Sequence, residues 1–474
     1  MSIIGPLLKI GDEFKIKNTN LSGKIIGEFG EGGQGQVYEA QLSDGSTKAV
    51  KIYFREYLQN NGWLKQKIPA LVHKGSPGNR FLWPEGIVEV NKDLNLFGYA
   101  MPVKPSGYKD TVNFLVEPIS YRNLLRACMQ ISKSFEKLHS LGLCYRDINY
   151  NNVCINPDTG DSLIIDNDNV DFDSDECQIA IGIPEFVAPE VLNGSRPSSD
   201  SDRHSLAVLY YFLFFKAHPL DGKAVLKYDI WGAEDKNAHF KSATYHFHPE
   251  DKSNEALEIS EDDEEGFAGH RAIVFRKRFP DNFLAHFDKT FVQGLKKKYM
   301  RTIESVWRGA FDTLGHQIIH CLNSTCMDPQ TGPRENFYRG EFSQKCYHCN
   351  SELAMPPRMK VMPDNKVIVL THDIKLRGRH IGSSRNRQEQ DQVLAEINVH
   401  PERNIWGLKN NSNTNWSIQF ERDGDQVSVE HGKRFSLDKP KILVDFKNGR
   451  KGIIRCGGAS RSETNSATPA SGST

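Results

Sequence analysis

The sequence predicts an α+β chain, and three observations carry that reading: an antiparallel meander near the N-terminus, a largely helical middle, and alternating strands after about residue 355. At 474 residues the chain is too long for one ordinary core, and length suggests roughly three domains. Lysine plus arginine equals aspartate plus glutamate at 60 each, so net charge gives no argument for a nucleic-acid or membrane partner, and neither is expected. The longest apolar stretch, Leu206–Phe215, has ten residues, about half of what a bilayer-spanning helix needs, and reads as a buried core helix. The first residues combine no basic start, long apolar segment and small-residue cleavage site, which predicts a cytoplasmic protein.

Residues 1–19 read as an N-terminal extension. "GKIIGEFG", "GQVYEAQLS" and "TKAVKIYF", with an "SDGS" turn before the third, are the strands of the meander. From Asn123 to Leu141 apolar residues recur at three and four, the period of an amphipathic helix, and 205–315 continues mostly helical. The acidic block at 255–265 is a solvated loop by composition. After residue 355, "KVIVLT", "VLAEINV", "WSIQF", "QVSVEH" and "KILVDF" alternate with Gly, Asn and Asp turns, the pattern of a small all-β domain. The Gly/Ser/Thr-rich end, 457–474, reads as disordered.

Two constellations carry chemistry. Gly30, Gly32 and Gly35 give G-x-G-x-x-G, with Gly33 inside it and Val37 after it; glycines let backbone N–H groups approach a phosphate with no Cβ in the way. The loop joins two strands, whereas a dinucleotide fold requires a helix directly after it. Lys51, fourteen residues past Val37 on an apolar strand, is placed to clamp α and β phosphates. In "LCYRDINYNNVCIN", Asp147 can accept a hydroxyl proton and Asn152 can offer an amide oxygen to a cation; Asp166 ends a later apolar run. The second constellation is Cys321-x4-Cys326 followed by Cys346-x2-Cys349, four thiolates on two turns, the arrangement of a structural tetrahedral Zn²⁺ site.

With these residues in this order the chain resembles the eukaryotic-type (Hanks) protein kinases. Gly30 to Val37 matches the glycine-rich loop, Lys51 the strand lysine, Tyr145-Arg146-Asp147 with Asn152 the H-R-D catalytic loop, and Asp166 the acid of D-F-G. Val187–Glu190 matches A-P-E, Arg301 the arginine that pairs with its glutamate, and Asp202 the helix aspartate beneath the catalytic loop. The resemblance implies a bilobal fold over 20–315, with lobes of about 20–103 and 104–315, that uses ATP and Mg²⁺ or Mn²⁺. It implies that Asp147 orients the acceptor, that Asn152 and Asp166 hold the metal, and that Glu190, Arg301 and Asp202 are structural.

Four departures bear on activity. The helix glutamate that partners the strand lysine is absent, since "LKQKIPALVHK" has no acid and Gln66 is its nearest polar residue. D-F-G is Asp166-Asn167-Asp168, which leaves Asp168 without an inherited role. Ser174, the one hydroxyl residue between Asp166 and Glu190, lies among Asp171, Asp173, Asp175 and Glu176, acids expected to pair with Arg146 and replace an activating phosphate. Asn149 and Ile183 stand where serine/threonine kinases carry lysine and threonine, so the acceptor is less defined than phosphotransfer itself.

Beyond the kinase region, 316–355 reads as a four-cysteine zinc ribbon, and 356–456 resembles a degenerate forkhead-associated domain, a β-sandwich in which Arg379, Ser383 and Asn411 would bind phosphopeptide. A sandwich that docks without reading phosphate is the other reading of this region. The combination resembles a bacterial kinase type encoded beside a metal-dependent protein phosphatase and a von Willebrand A-domain protein, which implies a stress- or defence-signalling system. The leading expectation is an autophosphorylating serine/threonine protein kinase. The alternatives are a pseudokinase scaffold that binds nucleotide and recruits partners, and a kinase for a small molecule or nucleic acid, against which Glu190 and Arg301 speak.

Overall fold

Alternation of buried and exposed side chains sets the first strands. In the computed structural model, which describes residues 7–90, 96–174, 182–228, 232–258, 268–341, 343–371, 374–383, 386–399, 406–420 and 426–456, the chain forms two compact units. The first runs to Gly315 and includes Pro329–Thr331. It opens with β1 (Glu13–Ile16), β2 (Ser22–Glu31), β3 (Gly35–Leu42), β4 (Thr47–Tyr53), β5 (Gly86–Val90) and β6 (Gly98–Met101), closed as a barrel in the order β1-β2-β3-β4-β6-β5. Residues 1–19 are therefore not simply an extension. Phe14 and Ile16 enter the barrel core while Glu13 and Lys15 face out, and β1 closes the gap between β2 and β5. Four alternating residues are too short a signal to stand out in the sequence.

The β3–β4 register pairs Val37 with Lys51 and so hangs the lysine beneath the glycine-rich hairpin. Gly35 makes this possible, because a Cβ there would lie 2.1 Å from the Ile52 carbonyl oxygen. After α1 (Arg55–Asn60), α2 (Leu64–Lys74) buries Leu64, Ile68 and Leu71 on one face and carries no acidic residue.

The second lobe is built on α3 (Tyr121–Ser140), whose start is capped by Ser120 and whose buried face includes Leu124, Cys128, Ile131, Phe135 and Leu138. Five short strands follow or flank it: β7 (Lys109–Asp110), β8 (Leu143–Cys144), β9 (Val153–Ile155), β10 (Ser162–Ile164) and β11 (Asp171–Phe172). Beyond them come α4 (Pro189–Leu192), α5 (Ser199–Phe215), α6 (Ala233–Phe240), α7 (Ala268–Arg276), α8 (Asp281–Asp288) and α9 (Glu304–Gly315). The Leu206–Phe215 run is the buried second half of α5, with Phe215 edge-on to Phe287 of α8 at 5.3 Å. Among the described residues no helix is long and apolar enough to cross a membrane. Most of the acidic block (259–265) and the tail from 457 lie outside the described residues.

The second unit begins with paired strands Ile318–His320 and Glu335–Phe337, and a hairpin of Met327–Asp328 with Gly332–Pro333. A six-stranded and a four-stranded antiparallel sheet follow. They share one core, in which Met359, Ile418, Val444 and Ile454 of the larger sheet meet Leu376, Ala395 and Leu408 of the smaller.

Candidate active site

Asp202, buried at the start of α5, accepts the backbone N–H of Tyr145 at 2.6 Å and of Arg146 at 2.9 Å. These two bonds hold the loop where Arg146 takes a left-handed φ of 75°, a conformation that costs a non-glycine residue on the order of 1–3 kcal/mol. His139 of α3 bridges Asp202 at 3.0 Å and Glu304 of α9 at 2.8 Å. Burial opposes its charge, but the two carboxylates win and lift its pKa from 6.5 to about 9. Behind the loop, the Arg301 guanidinium grips Glu190 through two 2.7 Å bonds and also donates to the Asp200 carbonyl at 2.8 Å.

The Asp147 carboxylate is oriented by three amides: Asn149 at 2.9 Å, Asn152 at 3.0 Å and Asn169 at 3.3 Å. Burial raises its pKa, and the hydrogen bonds from Asn149 and Asn152 oppose that rise. Asn152 spends its amide hydrogens on Asp147, and its backbone carbonyl receives the N–H of Ile165 at 3.0 Å, so Asp166 follows directly beside it. An amide oxygen and a carboxylate are hard donors of the kind Mg²⁺ takes. Gly182 packs against Asp147, since a Cβ there would stand 2.8 Å from Oδ1.

Lys51 Nζ meets Asp166 Oδ1 at 2.6 Å, Asp168 Oδ2 at 2.8 Å and Gln34 Oε1 of the glycine-rich hairpin at 2.7 Å. Burial disfavours its charge, yet the two acids outweigh burial and raise its pKa well above the usual lysine value. Burial, and next the charge of Asp168, pushes the Asp166 carboxyl up to about 6. Asp168 is lowered despite burial, because Lys51 and the Tyr53 hydroxyl stabilise its charge. Asn167, in place of the phenylalanine, donates its amide to the Leu82 and Ile164 carbonyls, both at 3.0 Å. Gln66 instead lines a cavity with Trp63, Lys67, Asp171 and Ser174.

Of the acids expected to meet Arg146, Asp171 does, at 3.4 Å from its Nη1. Asp173 does something else: it accepts the N–H of Ser199 at the start of α5, because a carboxylate is stabilised by the free N–H groups of a helix's first turn. Asp175 and Glu176 lie outside the described residues. Arg146 Nε also donates to the Asn169 carbonyl at 2.5 Å.

In the second unit, Cys321, Cys326, Cys346 and Cys349 have all four Sγ atoms within 4.8 Å of one another. The Cys321–Cys349 and Cys326–Cys346 separations of 3.7 and 3.8 Å match the edge of about 3.8 Å that a tetrahedron with Zn–S near 2.3 Å requires. Elsewhere in this unit, Arg379 pairs with Asp391 at 2.7 Å, Ser383 is exposed, and Asn411 donates its N–H to Leu394. The strand pairing brings Leu394, beside Asn411, to the same end of the smaller sheet as Arg377, two residues before Arg379.

A family model of the protein kinase domain matches residues 24–262, about half of the chain. Smooth-muscle myosin light chain kinase of Gallus gallus is 27% identical over 157 residues, which cover 31% of this chain and 7% of that protein. Serine/threonine-protein kinase PknD of Chlamydia trachomatis is 25% identical over 232 residues, covering 41% of this chain and 25% of that protein. PknD of Chlamydia abortus is 26% identical over 237 residues, with 42% and 24% covered. The chain thus spans well under a third of the length of these relatives.

The His139 bridge makes stability pH-dependent with a definite sign. Its folded pKa is raised, so its contribution is fully present below about pH 6.5 and is lost as pH rises through about 9. Denaturant unfolding across that window is expected to lose on the order of 3 kcal/mol, and a His139→Gln variant is expected to start lower and show a flatter profile.

Proposed function

Because this chain belongs to the protein kinase domain family, we propose that it is an ATP-dependent protein kinase acting on serine or threonine, itself included. The observation that carries the reading is the constellation itself. Lys51 is paired to Asp166, and Asn152 is bonded to Asp147 and set beside Asp166, so the phosphate-positioning, metal-holding and acceptor-orienting groups converge. Asn152 and Asp166 would hold Mg²⁺ or Mn²⁺, which neutralises phosphate charge when bound. Lys51 would exchange Gln34 for the α and β phosphates of ATP. Asp147, its carboxylate fixed by three amides, would align the acceptor hydroxyl and take its proton.

The Arg146–Asp171 pair supports a catalytic loop stabilised without phosphorylation. The sulfur geometry supports a structural Zn²⁺ in the second unit. The pairing that brings Leu394, the acceptor of the Asn411 N–H, to the same sheet end as Arg377, two residues before Arg379, supports a forkhead-associated-like surface, with Ser383 as its third member. A cytoplasmic bacterial signalling role, with a metal-dependent phosphatase and a von Willebrand A-domain protein as partners, completes the proposal and rests on resemblance alone.

Incubation with γ-labelled ATP and Mg²⁺ or Mn²⁺ is expected to label the wild type or a protein acceptor. Asp147→Ala is expected to lower kcat by roughly 10²–10⁴-fold, and Asp166→Ala to abolish labelling. Nucleotide binding without any transfer would instead identify a scaffold. Arg146→Ala should cost roughly 10-fold in kcat, the worth of one hydrogen bond to a charged group; unchanged activity would remove the phosphate-replacement idea. Metal analysis of the purified protein should find zinc equimolar with the chain, and Cys346→Ser should lose it.

A further inference from the structure

A lysine that places phosphates must itself be held by a fixed anion. Nothing on α2 can do this, because Leu64–Lys74 contains no carboxylate and its Lys67 is turned to the Asn169 carbonyl, 3.0 Å away. The two acids that do reach Lys51 differ in kind. The Asp166 side chain is 28% exposed, whereas that of Asp168 is 2% exposed. The partly exposed acid is available to a cation; the buried one is not.

We infer that Asp168 is the positioning residue for Lys51, supplying from the Asp166-Asn167-Asp168 turn the carboxylate that α2 lacks. The inference deepens the phosphotransfer reading and rests on it. Two features hold Asp168 in place. Its Oδ2 is shared by Lys51 Nζ and the Tyr53 hydroxyl, both on β4. The turn that carries it is pinned by the two Asn167 amide bonds to Leu82 and Ile164. When Asp166 is engaged with a cation, Lys51 therefore keeps one buried anionic partner. Its placement depends on the turn and the barrel, which are joined directly, and not on the position of α2.

The test is a double-mutant cycle of Asp168→Asn and Lys51→Met in the full-length protein, read as ATP affinity by calorimetry with Mg²⁺ and as kcat/KM for ATP. Asparagine keeps the size of the side chain and removes its charge. Asp168→Asn is expected to lower both quantities roughly 10-fold to 100-fold. In the Lys51→Met background the same change should cost nothing further, because its effect passes through the lysine; Asp168→Glu should recover part of the loss. Losses that multiply across the cycle, or an Asp168→Asn protein with wild-type affinity and kcat/KM, would overturn the inference. The affinity cycle reads Asp168 whether or not phosphate is transferred, so a wild type that binds ATP without turnover removes the kinase reading alone. A wild type that binds no ATP removes both.

Discussion

The ammonium of Lys51 is the constraint around which the first unit closes. It hangs from an apolar strand, beneath a hairpin of glycines, in a place where an unpaired charge would cost several kcal/mol. Its anions come from 115 and 117 residues further along the chain. Satisfying one buried charge thus draws the acid turn of the second lobe up to the barrel of the first. The same pull explains why this turn is polar throughout. A phenylalanine is replaced by an asparagine that bonds two carbonyls, and a glycine by an acid that meets Lys51 and Tyr53.

The second lobe meets this arrangement with charges of its own. Asp202 holds two N–H groups of the catalytic loop, and His139 ties that aspartate to α9 through Glu304. Glu304 is held down to about 2 although burial would raise it, because His139 and then Arg203 stabilise its charge. The Arg301–Glu190 pair anchors α4 on the far side. Each pair has at least one buried member, so each favours one geometry strongly, because breaking it strands a charge away from water. The left-handed Arg146 and Asp166, both in the second lobe, persist because these contacts over-determine them.

Much of the site was legible in the sequence because phosphate and cation chemistry permits few residue types at few spacings. Lys51, Asp147, Asn152 and Asp166 were singled out that way, and so were the paired cysteines. Asn149 and Asn169 were not recognised as supports for Asp147, since an asparagine in a loop has many ordinary uses and only the fold shows which carboxylate it meets. Asp173 was expected beside Arg146 and caps α5 instead, a choice between two nearby positive sites that composition cannot make. Strand β1 escaped notice because its alternation spans only four residues, and its place in the barrel is set by partners on β2 and β5.

By itself the sequence determined the α+β lobes, the order of the reactive residues and the four-thiolate spacing, because these rest on local periodicity and on side-chain chemistry. Only the tertiary structure decided which acids reach Lys51. The sequence offered a missing helix acid and an unexplained Asp168 as two separate oddities. Folding joins them, because a buried ammonium takes the carboxylates that reach it in space, and distance in space is what a linear pattern does not record.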